Sequence, residues 1–322
     1  MKHFRTLFTC ATAVLLSVGS AFAQDFPSRP LKIVVPQPAG GGFDAVGRIA
    51  GDQLGRVLGQ SVIVENRTGA GTRVGTDYAA KAAPDGYTLL VGANPNINWN
   101  QVLYKDLTHD PIKDFTPVGL MVLFNYTLVA RNDLAPKSLK DIVAYGKANP
   151  GKLTFASGGK GTGQHILMAV TMHLAGVNAI HVPYRGAQAA YQDVIAGRVD
   201  LFFDNATTAR PLIEGERVRA VAVSSRERLP YHKDVPTILE SGVGPLSLQT
   251  WFGIFASSKT PEPVLKKLRE AMGKVKSSPD VIGRLAKMGA QPINLSTEDE
   301  IKRVNSDFEI WRKHMVDAKV AD

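Results

Sequence analysis

The chain has 322 residues, 44% hydrophobic and 21% charged, with 30 Gly, 19 Pro and a single Cys. One cysteine excludes an intramolecular disulfide and a cysteine-ligated zinc site, and a mean hydropathy of −0.05 excludes a polytopic membrane protein. The formal charge of +9 comes from lysines and arginines spread along the chain, never five in a row, which speaks against a nucleic-acid footprint and for a basic protein that favours anions.

The chain starts with Lys2 and Arg5, an uncharged stretch over 6–20, and Ala21, Phe22 and Ala23. A basic start, an apolar segment too short to span a bilayer and an A-x-A end describe a secretory signal peptide over 1–23, the alternative being an uncleaved anchor. Cys10 leaves with that leader, and the rest of the chain is expected to be exported and soluble.

Downstream, the β-branched run 31–35 predicts a strand, stopped by Pro36 and Pro38, and apolar residues at helical spacing predict a helix over 43–58. A strand over 61–65, a helix over 76–82 and a strand over 87–92 follow, with turns at 66–71 and 84–86. The middle repeats the alternation: strands at 125–130 and 152–156 around a helix at 138–149, a helix at 164–175, a strand at 179–183, a helix at 187–196 and a strand at 200–203. Strands at 217–224 and 251–256 and long amphipathic helices at 261–276 and 297–318 complete the chain. Alternating strands and helices predict an α/β fold with a mostly parallel sheet.

Two segments share one physical design. Residues 36–42 (PQPAGGG) and 157–163 (SGGKGTG) each join a predicted strand to a helix start. Glycines let the backbone approach a ligand and adopt positive φ. The first N–H groups of the next helix have no intrahelical acceptor and sit at its positive end, so each loop is a candidate cradle for carboxylate, sulfate or phosphate. Such loops also occur for packing alone; two of them in one chain favour binding.

The named catalytic and nucleotide signatures fail. Residues 69–75 carry one residue too many for G-x-G-x-x-G, and 146–153 resembles a P-loop until Leu153 takes the Ser/Thr position. There is no H-E-x-x-H and no G-x-S-x-G. His165, His173 and His181 are spaced by eight, which does not match a metal-ligand pair on one helix.

A series of landmarks runs along the chain after the leader: PSRP at 27–30 with IVV at 33–35, PAGGGFD at 38–44, VENR at 64–67 with GAG at 69–71, and APDGYT at 83–88. They continue with Asp110 and Pro111, KDF at 113–115, GTG at 161–163 with His165, VPYRG at 182–186, GRVD at 197–200, DVPT at 234–237 and WFG at 251–253. With these landmarks the whole chain after the leader resembles the extracytoplasmic solute receptors of tripartite tricarboxylate transporters, the Bug family. The resemblance implies a periplasmic binding protein type II fold, two α/β lobes around a ligand cleft with two crossover segments near 124–129 and 249–252. Lobe one would comprise 24–126 plus 251–322, and lobe two 127–250.

In the family the glycine loops hold ligand carboxylates, largely through backbone N–H groups and bridging water. Carried to this chain, that points to Pro38, Ala39, Gly40, Gly41 and Phe43 in lobe one and to Ser157, Gly158, Gly161, Thr162 and His165 in lobe two. Asp204, expected just past its strand, resembles the position facing the far end of the ligand, with Asn205 and Asn94 as weaker candidates. A turn or helix-cap role is the structural alternative for Asp204. Trp99 and Phe43 could wall a bulky ligand or belong to the core.

The function expected from the resemblance is periplasmic capture of a small organic carboxylate for the membrane permease subunits of a tripartite transporter. The receptor is expected to act as a monomer, with no cofactor, no metal, no catalysis and no nucleic-acid partner. A ligand sensor for a signalling kinase, or a hydrolase using Asp204 and His165 as an acid/base pair, are the alternatives.

Overall fold

A computed structural model describes residues 26–244 and 249–320. The leader read at 1–23, with Cys10, lies outside the described residues. Leu31–Val35, short and apolar on both faces, forms strand β1. It pairs in parallel with β2 (Val62–Asn66), from Leu31↔Val62 to Val35↔Asn66, and with β3 (Thr88–Ala93). Helix α1 (Gly42–Leu58) buries Val46, Ile49, Ala50 and Leu54 against this sheet. Gly47 sets the spacing, because a methyl there would come within 2.7 Å of Val35 Cγ2.

After α2 (Arg73–Ala80) and β3, residues Asn94–Trp99 wind into one π-helical turn. The short helices α3 (Asn100–Leu103) and α4 (Pro111–Asp114) follow. Then comes β4 (Phe115–Phe124), a ten-residue strand that the sequence reading does not predict and that contains two residues disfavoured in strand interiors, Pro117 and Gly119. The structure accommodates both beside irregularities in the ladder with β10 (Thr250–Ser257), where Pro117 pairs with Phe255 and Gly119 with Ile254. With β11 (Gln291–Pro292), the first sheet runs β11–β4–β10–β3–β1–β2.

The second sheet contains β5 (Tyr126–Ala130), β6 (Thr154–Ser157), β7 (Ile180–Pro183), β8 (Leu201–Asn205) and β9 (Arg219–Val223), in the order β7–β6–β8–β5–β9. Its helices are α5 (Leu139–Ala148), α6 (Gly163–Leu174), α7 (Ala187–Ile195) and α8 (Ala206–Glu214). Helices α9 (Glu262–Lys276), α10 (Pro279–Lys287) and α11 (Thr297–Asp317) close the chain.

Both sheets are mixed, which corrects the expectation of a mostly parallel sheet. β10 runs antiparallel to β3 and β4, and β5 runs antiparallel to β8 and β9. The physical reason is the route of the chain. β4 continues through the single residue Asn125 into β5 of the other sheet, so this strand enters against the direction of the βαβ units around it. The return path arrives beside it: Gln249 Nε2 donates to Asn125 Oδ1 (2.8 Å) and Thr250 Oγ1 donates to Tyr126 Oη (3.2 Å). Helix α11 also touches both halves. Val304 is buried with the first sheet's core, whereas Trp311 and Met315 belong to the core of the second, where Trp311 packs edge-on against Trp99 (4.9 Å).

Candidate functional site

The first glycine loop leaves β1 with Pro38, Ala39, Gly40 and Gly41 exposed. Gly40 has φ +89°, a conformation that costs other L-residues about 1–2 kcal/mol. α1 then starts without a side-chain cap, and its first internal acceptor is Gly41 O, taken by Ala45 N at 3.0 Å. The N–H groups of Gly42, Phe43 and Asp44 therefore lack intrahelical acceptors at the positive end of a 17-residue helix.

Asp44 shapes this loop. Its Oδ2 accepts from Gly40 N (3.0 Å) and Arg48 Nε (2.9 Å), while Oδ1 accepts from Asn66 Nδ2 (2.9 Å), which also reaches Gln37 O (3.0 Å). Burial alone would push the Asp44 carboxyl up, but the hydrogen bonds from Arg48, Gly40 and Asn66 together outweigh it and hold the group below its ordinary value. The Phe43 ring points into the core, edge-on to Phe252 (4.8 Å), so only its backbone is left to face a ligand.

The second loop leaves β6 at Ser157 and enters α6 at Gly163, with Thr162 as N-cap. Thr162 Oγ1 donates to Gly159 O (2.7 Å) and accepts from His165 N (3.4 Å). Ser157 Oγ accepts from Gly159 N (3.0 Å), and Gly161 N donates to His165 Nδ1 (3.3 Å). The hydroxyls of Ser157 and Thr162 are thus turned back into the loop, which they stiffen. At Gly158 a methyl would come within 3.0 Å of Gln164 Oε1.

Both loops lie against parts of the other half. A methyl on Gly42 would sit 3.8 Å from Asn205 Nδ2, and one on Gly71 would sit 3.1 Å from Lys160 O. A methyl on Gly161 would meet Leu103 Cδ1 (3.1 Å) and Tyr104 Oη (3.2 Å). Between them lies the end of β8, whose last two residues are Asp204 and Asn205. Asp204 is therefore inside its strand and not beyond it. Gln164 Nε2, in the first turn of α6, donates to Asp204 Oδ1 (3.0 Å).

Asp204 Oδ2 and Asn205 Oδ1 are buried without a partner at good hydrogen-bond geometry among the described residues, the buried Tyr191 hydroxyl being near enough to Asp204 to interact with it. Burial pushes the Asp204 carboxyl up to about 6, against the pull of Gln164, the Asn205 backbone and Tyr191. Asn94 is fully buried in the π-helical turn and spends its Oδ1 on Trp251 N (3.1 Å). Trp99 is likewise in the core. A groove of about 660 Å³ opens behind the second loop, lined by Phe155, Lys160, His165, His181 and Lys319 among others and by no residue of 38–43.

The buried acid yields a stability prediction. An acid whose folded pKa is raised costs stability once it ionises, so the cost is absent below the unfolded pKa near 4 and complete above the folded value near 6. Asp204→Asn keeps the Oδ1 acceptor and removes the charge. It is expected to be about 3 kcal/mol more stable than the parent at pH 8, with the difference closing by pH 4, in urea unfolding at the two pH values. Equal stabilities at pH 8 would mean that the carboxylate is solvated after all.

Three organising side chains escaped the sequence reading of the site. Asp44 was visible as a first-turn acid, which signals dipole complementarity but not the loop contact. Asn66 stood in a turn cluster, and Gln164 carried no signal.

Residues 46–318 match the family described as tripartite tricarboxylate transporter family receptor. A UPF0065 protein from the tcbD-tcbE intergenic region of a Pseudomonas species is 36% identical over 318 residues, covering 98% of this chain and 94% of that one. Among solved structures, an adipate-bound protein of R. palustris superposes with TM-score 0.84 at 30% identity, covering 92% of this chain and 99% of its own. MatC from Rhodopseudomonas palustris with bound malate gives 0.82 at 32% identity, covering 90% and 99%. With nearly its whole length matched in sequence and in fold, the chain belongs to the tripartite tricarboxylate transporter receptor family of periplasmic solute-binding proteins.

Proposed function

We propose that this receptor captures a small organic acid with two or more carboxyl groups between its halves and hands it to a membrane permease of the tripartite type. One carboxylate is held by N–H groups of 41–43 from the first half and by those of Gly163 and Gln164, at the start of α6, from the second, while the N–H groups of Gly161 and Thr162 are spent inside the loop on His165 Nδ1 and Gly159 O. The observation that carries the reading is the meeting of two uncapped or loop-capped helix starts, α1 and α6, at the end of β8: Gly42 beside Asn205, Gln164 on Asp204. Preorganised N–H donors in a partly dry site bind a carboxylate strongly without a counter-ion. The adipate and malate in the related structures support a dicarboxylate as the class of ligand.

In this reading residues 24–126 plus 251–322 and residues 127–250 are lobes that close about the crossings at Asn125 and Gln249. The ligand favours the closed form only by its differential affinity for it. The leader exports the protein to the periplasm, and neither metal nor cofactor takes part. Thermal unfolding with malate, adipate, citrate and single-carboxylate acids tests the proposal. At 100 times Kd a ligand adds about 2.7 kcal/mol, so at least one di- or tricarboxylate should raise Tm by several degrees. A flat response to the whole panel at millimolar concentration would overturn it.

A further inference from the structure

His181 lies on β7, the edge strand of the second sheet, paired with Phe155 across the ladder. Its ring is nearly parallel to Phe155 (5.0 Å, 17°) and to His165 (4.1 Å, 25°). Its Nε2 is 2.6 Å from Ser157 Oγ, the same oxygen that accepts Gly159 N. His165, against which His181 stacks, accepts Gly161 N at its Nδ1. Both glycines are in the left-handed half of φ space, +125° at Gly159 and +81° at Gly161. One imidazole therefore joins two anchor points of the glycine loop, one through a hydroxyl and one through a ring face.

We propose that His181 is a positioning residue for the second glycine loop: it fixes Ser157 and His165, and through them the direction of the N–H groups that meet the ligand. Nothing in the resemblance or in the motifs assigns it a role. It acts from the groove behind the loop, which is consistent with its being a separate element from the ligand-facing surface. The ring must stay neutral to serve both contacts, and its surroundings keep it so. Burial first, and then the charge of Lys160, lower its pKa to about 4; His173 and Lys319 line the same groove and add no carboxylate there.

The part of this inference that concerns affinity rests on the proposed carboxylate site, and the test separates the two. Amide hydrogen exchange of Gly159 and Gly161 is read by NMR in the ligand-free full chain, and malate affinity is read by calorimetry. The variants are His181→Phe, which keeps a stacked ring without the nitrogen, and His181→Gln, which restores a polar group. Protection of Gly159 is expected to fall about fivefold to tenfold in the Phe variant and to recover partly in the Gln variant, while Phe202 in β8 stays protected. Malate affinity should follow the same order.

Unchanged Gly159 and Gly161 exchange in His181→Phe overturns the proposal. So does a loss of protection at Phe202 equal to that at Gly159 in both variants, which would make His181 a general core residue. If the parent protein binds no malate, the functional reading is what suffers, and the exchange data alone decide the role of His181.

Discussion

Asp44→Ala is expected to lose about 2–3 kcal/mol of stability and at least tenfold in ligand affinity. The side chain collects three donors, Gly40 N, Arg48 Nε and Asn66 Nδ2, and is almost entirely buried. Hydrogen bonds to a charged acceptor contribute about 1.5–3 kcal/mol each before losses in the relaxed variant are counted. Removing the acceptor frees the Gly40 N–H, at a residue with positive φ, so the N–H groups at 41–43 are expected to lose their common direction. Asp44→Asn should fall between the two.

The pH sign separates charge from shape at this residue. The folded Asp44 pKa lies below its unfolded value, so its contribution is complete above about pH 4 and is lost as pH falls through the folded pKa. Parent and Asp44→Asn should therefore converge in stability once pH has fallen below the folded Asp44 pKa. Urea unfolding across pH, with calorimetry at pH 7, checks both statements. A parent and an Ala variant with equal affinity would show that the first loop needs no brace.

The second large effect is expected at Gly161, and Gly151 serves as its control. Both have positive φ, +81° and +74°, so an alanine at either costs about 1–2 kcal/mol of backbone strain. A methyl at Gly151 meets nothing within 4 Å, whereas one at Gly161 meets Leu103 and Tyr104, from the segment that follows β3 of the first sheet. The two variants should thus lose similar stability from strain, but only Gly161→Ala should weaken ligand binding, by more than tenfold, because it alone sits where the halves approach. Comparable affinity in both variants would place the second loop outside the site.

The parts of this fold that can be read from the sequence are those with local causes. The glycine loops, the helices after them and the edges of β1, β2, β3 and β6 follow from periodicity and punctuation over a few residues. β4 was hidden because its breakers, Pro117 and Gly119, are tolerated only by a ladder whose partner strand lies more than a hundred residues away. The mixed direction of the sheets is hidden for a related reason: it depends on where the chain crosses between halves, and no local pattern encodes that.

Side-chain direction was the other gap. Phe43 and Trp99 both had a ligand-facing and a core reading, and the structure puts both rings in the core. Asn94 sits in a run of alternating asparagines that suggests a polar loop, yet Asn94, Asn96, Asn98 and Asn100 are all buried. They are held there by distant partners such as Trp251 N for Asn94 and Val304 O for Asn98. Buried amides of this kind satisfy backbone groups from several elements at once, and their pairing is a property of the tertiary fold.

The most direct measurement is an NMR titration of the backbone amides with malate. If one carboxylate is gripped from both halves, the signals of Gly41, Gly42 and Phe43 and those of Gly163 and Gln164 should move together, downfield, with a single midpoint. Shifts confined to one loop, or centred instead on Lys319 and Val320 in the rear groove, would contradict that grip.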